Sequence, residues 1–421
     1  MSATTPTLSA RASVGWLRRF LRTTPGVVGL IAIVVAASCV LAGVVVGGQL
    51  DGRITESKSV LDRSEPFAYS AQKLYAALSA ADAAAATEYL SGGLETAAMR
   101  ARYQQALADA AEALTDATLG ATDHDTRTAL AQISADLVAY TGQVESARAN
   151  NRQGFAVGAA YFREASSLMQ TSMLPSAERV YTGALAAVDR DQIGVGSLPI
   201  AGLVLLVIVL VLIAAGSLIL IGRTNRQFNR GLIGAAIAVL LVIGWIAVAN
   251  VFAASKVEQS RMEGTARFEK LANARVLTQK ARTDETLQLI SRGDVTAGEA
   301  SFNDHVGQVS ALLDQGPAAA ADGVLKWVAS HRDQVELYRG GDYQAAVAQA
   351  IGSDPSGSAA QFAVVETSLS DAIERTRATL RDDVSAAGAR LAWSPTGTLV
   401  LMVIAAAAAV VGLWPRLKEF L

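Results

Sequence analysis

Disulfide bonding is the first thing this sequence excludes. Its 421 residues include one cysteine, Cys39, so no bridge can form within a chain and folded segments must hold by packing alone. Cys39 lies in an apolar run and reads as a small hydrophobe rather than a reactive thiol. Proline is scarce, nine residues in all, which leaves room for long uninterrupted helices. Histidine is scarcer, with only His124, His305 and His331. There is no H-x-x-x-H or C-x-x-C spacing for a metal, no glycine-rich phosphate loop and no G-x-S-x-G elbow. These absences argue against an enzyme, a metal site and a bound cofactor. Carboxylates are plentiful, but on helical faces they normally form a solvated surface.

Charge is missing where it is most informative. Thr23–Leu50, Gln192–Gly222, Gly231–Ser255 and Leu391–Pro415 contain no Lys, Arg, Asp or Glu over 28, 31, 25 and 25 residues. A helix crosses the hydrocarbon core with roughly 20 apolar residues, and nothing here is costly to bury in lipid. Four membrane spans follow, at 25–50, 196–222, 231–254 and 394–415. They enclose two long polar segments, 51–195 and 255–393, and leave a tail (1–24), a turn (223–230) and a stub (416–421).

The flanking charges orient the chain. The tail carries Arg11, Arg18, Arg19 and Arg22, the turn Arg223, Arg226 and Arg230, and the stub Arg416 and Lys418 against the single acid Glu419. The long segments hold the remaining 27 basic residues against 37 acidic ones. Short loops rich in Lys and Arg stay in the cytoplasm, whereas long domains translocate largely regardless of charge. The expectation is a multi-pass plasma-membrane protein with cytoplasmic termini and two large extracytoplasmic domains. A signal peptide would have an apolar region of ~7–15 residues, and the first run is far longer.

Both polar segments are composed for helix, rich in Ala, Leu, Gln, Glu and Arg. Breaks at Ser91-Gly92-Gly93, Gly120–Asp125 and Asn150–Gly154 predict helices near 55–90, 94–119, 125–149 and 155–192. In the third, Leu130, Ile133, Leu137, Tyr140, Val144 and Ala147 form an apolar stripe, the seam of an antiparallel bundle. Breaks at Arg292-Gly293, Gly316-Pro317, Gly340-Gly341 and Gly352–Ser358 divide the second segment on the same plan. A shift of 191 positions carries Tyr140 onto His331 and Gln143-Val144-Glu145 onto Gln334-Val335-Glu336. The fold expected is all-α: four transmembrane helices with two extracytoplasmic antiparallel four-helix bundles as a tandem repeat.

Ligand candidates are few. Arg100/Arg102 and Arg148/Arg152 are paired arginines whose fork geometry suits a carboxylate, although acids interleave with them as on an ion-paired surface. A third basic run is Arg261, Arg267, Lys270 and Arg275. His331 occupies a core position and reads as a core or boundary histidine with one hydrogen-bonded nitrogen. The sharper alternative is a proton-sensitive packing point, because burial would disfavour its charged form. In the spans, Gly43–Gly47 is a G-x-x-x-G match and Ala405–Ala409 a run of small residues, so these faces pack against each other or against a second protomer. Asn250 is the one strong amide well inside a span, and the missing ionisable residues disfavour transport. Location and the acidic balance exclude nucleic acid.

The stretch Tyr161-Phe-Arg-Glu-Ala-Ser-Ser-Leu-Met-Gln, continuing to Leu174-Pro175-Ser-Ala-Glu-Arg-Val-Tyr181, together with the paired span–helices–span halves, resembles the GlnX-type membrane proteins of actinobacteria. That resemblance implies a non-enzymatic signal transducer. Its outer helices would meet an external solute-binding lipoprotein, and amino-acid availability (aspartate or glutamate) would be relayed to the cytoplasmic Ser/Thr protein kinase G or an adaptor. Arg18, Arg19, Arg22, Arg223, Arg226 and Arg230 would be the cytoplasmic contact points. A scaffolding protein of the cell envelope and a direct-binding chemoreceptor-like sensor are the alternatives.

Overall fold

The computed structural model describes residues 23–92, 96–196, 199–224, 229–259, 264–293 and 295–418. In chain order the helices are α1 (Thr24–Ser59), α2 (Glu65–Leu90), α3 (Ala97–Gly120), α4 (His124–Arg152), α5 (Val157–Leu168), α6 (Leu174–Gly196), α7 (Ile200–Thr224), α8 (Arg230–Gln259), α9 (Ala266–Ser291), α10 (Thr296–Leu312), α11 (Ala318–Arg339), α12 (Tyr343–Ile351), α13 (Ser358–Leu391) and α14 (Ser394–Lys418). No strand occurs among the described residues.

Local chemistry sets these boundaries. Thr96 and Asp123 accept hydrogen bonds from the amides of Met99 (3.2 Å) and Thr126 (2.8 Å), capping α3 and α4. Asp342 does the same for α12 through Ala345 (3.0 Å). Each satisfies an amide that the first helical turn leaves open. Two π-helical turns, Val60–Ser64 and Met169–Met173, join α1 to α2 and α5 to α6 without a loop.

The chain divides into two compact units. Among the described residues the apolar unit comprises 23–57, 193–196, 199–224, 229–257 and 385–418. The helical stretches Pro25–Leu90, Ile200–Gly222, Arg230–Phe252 and Ser358–Pro415 each contain a window long and apolar enough to cross a membrane. Cys39, Val46, Leu206, Val209, Val239, Met402 and Ala405 share one buried cluster. The outward positions are apolar too, with Ile33, Val211 and Val411 exposed. Helices that are hydrophobic on every side suit a lipid surround.

Small residues set the spacing within this unit. A Cβ on Gly43 would lie 2.9 Å from that of Met402, so the Gly43–Gly47 face meets α14, and Ala405 and Ala409 are buried. Asn250 has a specific partner: Arg53 Nη1 donates to its Oδ1 at 2.8 Å, with both side chains buried. The closest approach is between Gly231 and Gly412, where any Cβ would strike the facing backbone. Gly231→Ala is therefore expected to force α8 and α14 apart, at about 1–3 kcal/mol. Gly234→Ala is the control, since its Cβ would meet only the Ala408 methyl at 3.9 Å. Thermal unfolding in detergent should show a drop of several degrees for the first and essentially none for the second.

The polar unit comprises Lys58–Gln192 and Glu258–Val384. Both polar segments feed one hydrophobic cluster, in which Leu74, Tyr140 and Phe162 from the first join Phe268, Phe302 and Trp327 from the second. α2 is central to it. Ala71, Gln72, Leu74, Ala76, Ala77 and Ala83 lie around its circumference and all are buried. Polar ties cross between the segments as well. Glu65 on α2 is bonded by Arg377 and Arg381 of α13. Arg381 also donates to the Leu61 carbonyl in the first π turn at 3.0 Å, an acceptor that the widened turn leaves accessible.

Candidate functional site

Of the buried carboxylates among the described residues, the most deeply enclosed in each segment, Asp82 and Glu285, each anchor a hydrogen-bond network. In the first, Asp82 of α2 is 1% exposed. It accepts hydrogen bonds from the Tyr140 hydroxyl (3.2 Å), the Ser166 hydroxyl (2.9 Å) and the Gln170 amide (3.1 Å). The second π turn contains Gln170, which places it on the same side of the helix as Ser166. Burial pushes the Asp82 carboxyl above its ordinary range, and the donors from Ser166, Gln170 and Tyr140 only partly offset that.

In the second segment, Glu285 of α9 is fully buried. Arg282 pairs with it one turn away, the Trp327 indole donates to it at 3.1 Å, and His331 Nδ1 lies 3.1 Å from its other oxygen. Burial alone would raise this carboxyl. The charge of Arg282 and the bond and charge of His331 outweigh it and hold Glu285 down at about 2. Arg282 is itself anchored by the Ala350 carbonyl at 3.1 Å and lies over the Phe362 ring.

His331 lies in the core and is held through both ring nitrogens. Burial does act to lower its pKa, as expected. However, its Nε2 also bonds Glu299 of α10 at 2.6 Å, and hydrogen bonds and charge from Glu285 and Glu299 together push the ring up to about 9. The ring stacks on Phe302 with centroids 3.7 Å apart. It is therefore a core histidine clamped between two acids, an arrangement that favours its charged form.

The arginine candidates separate. Arg148 and Arg152 are brought to one cavity at the end of α4, lined also by Glu88, Tyr89, Asn151 and Phe162. Arg148 pairs with Glu88 and with Glu145 (2.7 Å) and lies over the Tyr103 ring. The cavity is about 20 Å³, room for about one water molecule. Arg100 and Arg102 are exposed on α3 and do not line it. In the third basic run, Arg275 is bonded to Glu366 at 2.6 Å. Arg230 is exposed at the start of α8. Arg18, Arg19, Arg22, Arg226 and Arg261 lie outside the described residues, as does the side chain of Arg223.

Sequence reasoning missed Asp82, Arg282 and Glu285. A signal for Asp82 was present: it is the only charged residue between Lys73 and Glu88, inside a run dominated by alanine. An acid alone in a stretch that small residues mark for close packing on all sides is a buried acid.

The described residues thus define an all-helical protein with four helices long and apolar enough to cross a membrane, and a polar helical unit in which Asp82 and Glu285 are the most deeply buried acids. Residues 56–193 match the family described as an actinobacterial sensor domain, a span that covers the first polar segment and points to a sensing or signalling role. No curated protein and no protein of solved structure matches the chain.

Proposed function

We propose that this chain is a non-enzymatic transmembrane signal transducer, with its polar unit outside the cell and its termini and 223–230 turn inside. The observation that carries the proposal is the sensor-domain match over residues 56–193. That match lies on helices running without a loop from an apolar helix, through the π turn Val60–Ser64, into α2. A displacement of α2 would pass along such a helix with little loss. The two halves act as tandem repeats. Each sets a buried acid of its first polar helix, Asp82 or Glu285, against the aligned residue of its third, Tyr140 or His331.

The input reaches the chain through a partner. The Arg148–Arg152 cavity has room for about one water, so these arginines offer no preformed amino-acid site, and the receptor role falls in this reading to an external solute-binding lipoprotein. The output is read on the short basic cytoplasmic pieces by a Ser/Thr kinase or its adaptor, from a chain that is monomeric or a homodimer in the bilayer. The test compares cells with and without this chain after addition of aspartate or glutamate, with phosphorylation of the kinase's substrates measured by mass spectrometry. The response should disappear with the chain and return on complementation. An undiminished response in deletion cells would sink the relay.

A further inference from the structure

We infer that the end of the polar unit formed by the α4–α5 turn, the C-terminus of α9 and the α11–α12 turn is a docking surface for a folded protein presenting an apolar patch rimmed by Asp and Glu. The inference deepens the receiving role proposed above by assigning it a surface.

The first observation is backbone strain. Arg292 has φ 50°, the only positive φ outside glycine among the described residues. It follows the last residue of α9, where a left-handed residue is usually glycine, because a Cβ there costs roughly 1 kcal/mol. Glycine is the very next residue, Gly293, yet the left-handed position is held by an exposed arginine. Its guanidinium lies 4.3 Å from the Tyr343 ring centroid. Strain of this kind persists where surrounding structure sustains it, and it clusters at functional positions.

The second observation is composition. Of nine tyrosines in the chain, four (Tyr89, Tyr161, Tyr338 and Tyr343) sit at this end. Tyr338 and Tyr343 pack edge to face and bond the carbonyls of Gly293 and Leu289. Tyr89 stacks on Phe162 and lies within electrostatic reach of Arg163, Arg292 and Tyr343, which brings the two segments together here. Beside it the α4–α5 turn exposes Phe155, and the first turns of α5 expose Val157 and Tyr161, at 55, 49 and 42%. Tyr and Arg around exposed apolar side chains are the composition of interface hot spots.

The third observation is charge. Arg152, Arg163, Arg292 and Arg339 are exposed here, alongside Glu164, Glu336 and Asp342. Asp342 is committed to capping α12. The surplus is small, so these arginines act as carboxylate forks rather than as a field. An anionic polymer would need the forks but would gain nothing from Phe155 and Val157. A protein with carboxylates around an apolar patch uses both.

The test places a photo-crosslinking residue at Val157, or at Val138 (74% exposed on α4) as control, in the full-length chain in its own cells. Val157 should trap one discrete protein, with Asp or Glu in the cross-linked peptide, and Val138 should not. Arg292→Gly relieves the strained turn, so the unfolding temperature should hold or rise, while cross-linking at Val157 falls about tenfold. Equal trapping at both sites, no loss with Arg292→Gly, or an adduct with lipid, glycan or a second copy of the chain overturns the docking surface. Cross-linking that survives Arg292→Gly while deletion cells lose the amino-acid response sinks the surface and spares the relay. The converse pattern spares the surface.

Discussion

Glu285→Ala is expected to lower the stability of the polar unit by about 3–5 kcal/mol, the usual cost of removing one partner from a buried ion pair. The carboxylate is fully buried, and Arg282, Trp327 and His331 all bond it. Its loss strands two cations in a core where, among the described residues, Arg282 retains the Ala350 carbonyl and the Phe362 ring, and His331 retains Glu299 and the Phe302 ring. In a unit of this size that amounts to a melting temperature lower by about 10 °C. Glu285→Gln should cost nearly as much, because a neutral amide accepts hydrogen bonds without balancing charge. The combined change Arg282→Met, Glu285→Leu, His331→Phe should recover most of the loss, since a well-packed apolar trio dispenses with desolvation altogether. Circular dichroism at 222 nm on detergent-solubilised protein reads all three. Glu285→Ala melting within about 2 °C of the parent would show that the network adds nothing to stability.

The sequence made the spans legible because charge is excluded from them so completely that composition alone fixes their number. Helix ends in the polar segments were legible as well, because they fall where Gly, Pro, Thr96, Asp123 and Asp342 interrupt or cap the chain. The packing of α2 was only half legible. Phe67, Ala71, Leu74 and Leu78 mark one face, yet Gln72, Ala76 and Ala83 on the far side are buried too, because the second segment covers the remaining sides. An alanine-rich helix has little hydrophobic contrast between its faces, so periodicity understates how much of it is enclosed. The sites were hidden for a different reason. Glu285 and Glu299 approach His331 from two other helices, separated from it by 46 and 32 residues, a convergence that spacing along the chain does not encode. The π turns were equally hidden, since one is held by Arg381 from the far end of the sequence.

Raising the pH from 6.5 to 9.5 is expected to destabilise the polar unit through His331. An unfolded histidine titrates near ~6.5, whereas the folded ring is pushed up to about 9. The folded state therefore holds its proton more tightly, and the resulting stabilisation is complete below the unfolded value and lost as pH climbs through the folded one. A shift of this size corresponds to a contribution on the order of 3 kcal/mol. Glu285 works at the other extreme: held down at about 2, its contribution is present above the ordinary carboxylate range and lost as pH falls through that value. The two share a bond, so they are not added. Asp82 acts in the same direction as His331 and opposite to Glu285, because a raised carboxyl makes folding less favourable as pH rises through its folded value. Tyrosines and lysines also titrate in alkali, so the readout is the difference between parent and His331→Gln. The variant should melt lower at pH 6.5 and converge toward the parent by pH 9.5. Parallel curves across that range would mean that the ring is neutral when folded. Convergence would place the proton on His331 throughout the physiological range, making it a fixed positive charge that binds α9, α10 and α11 together rather than a sensor of mild acid.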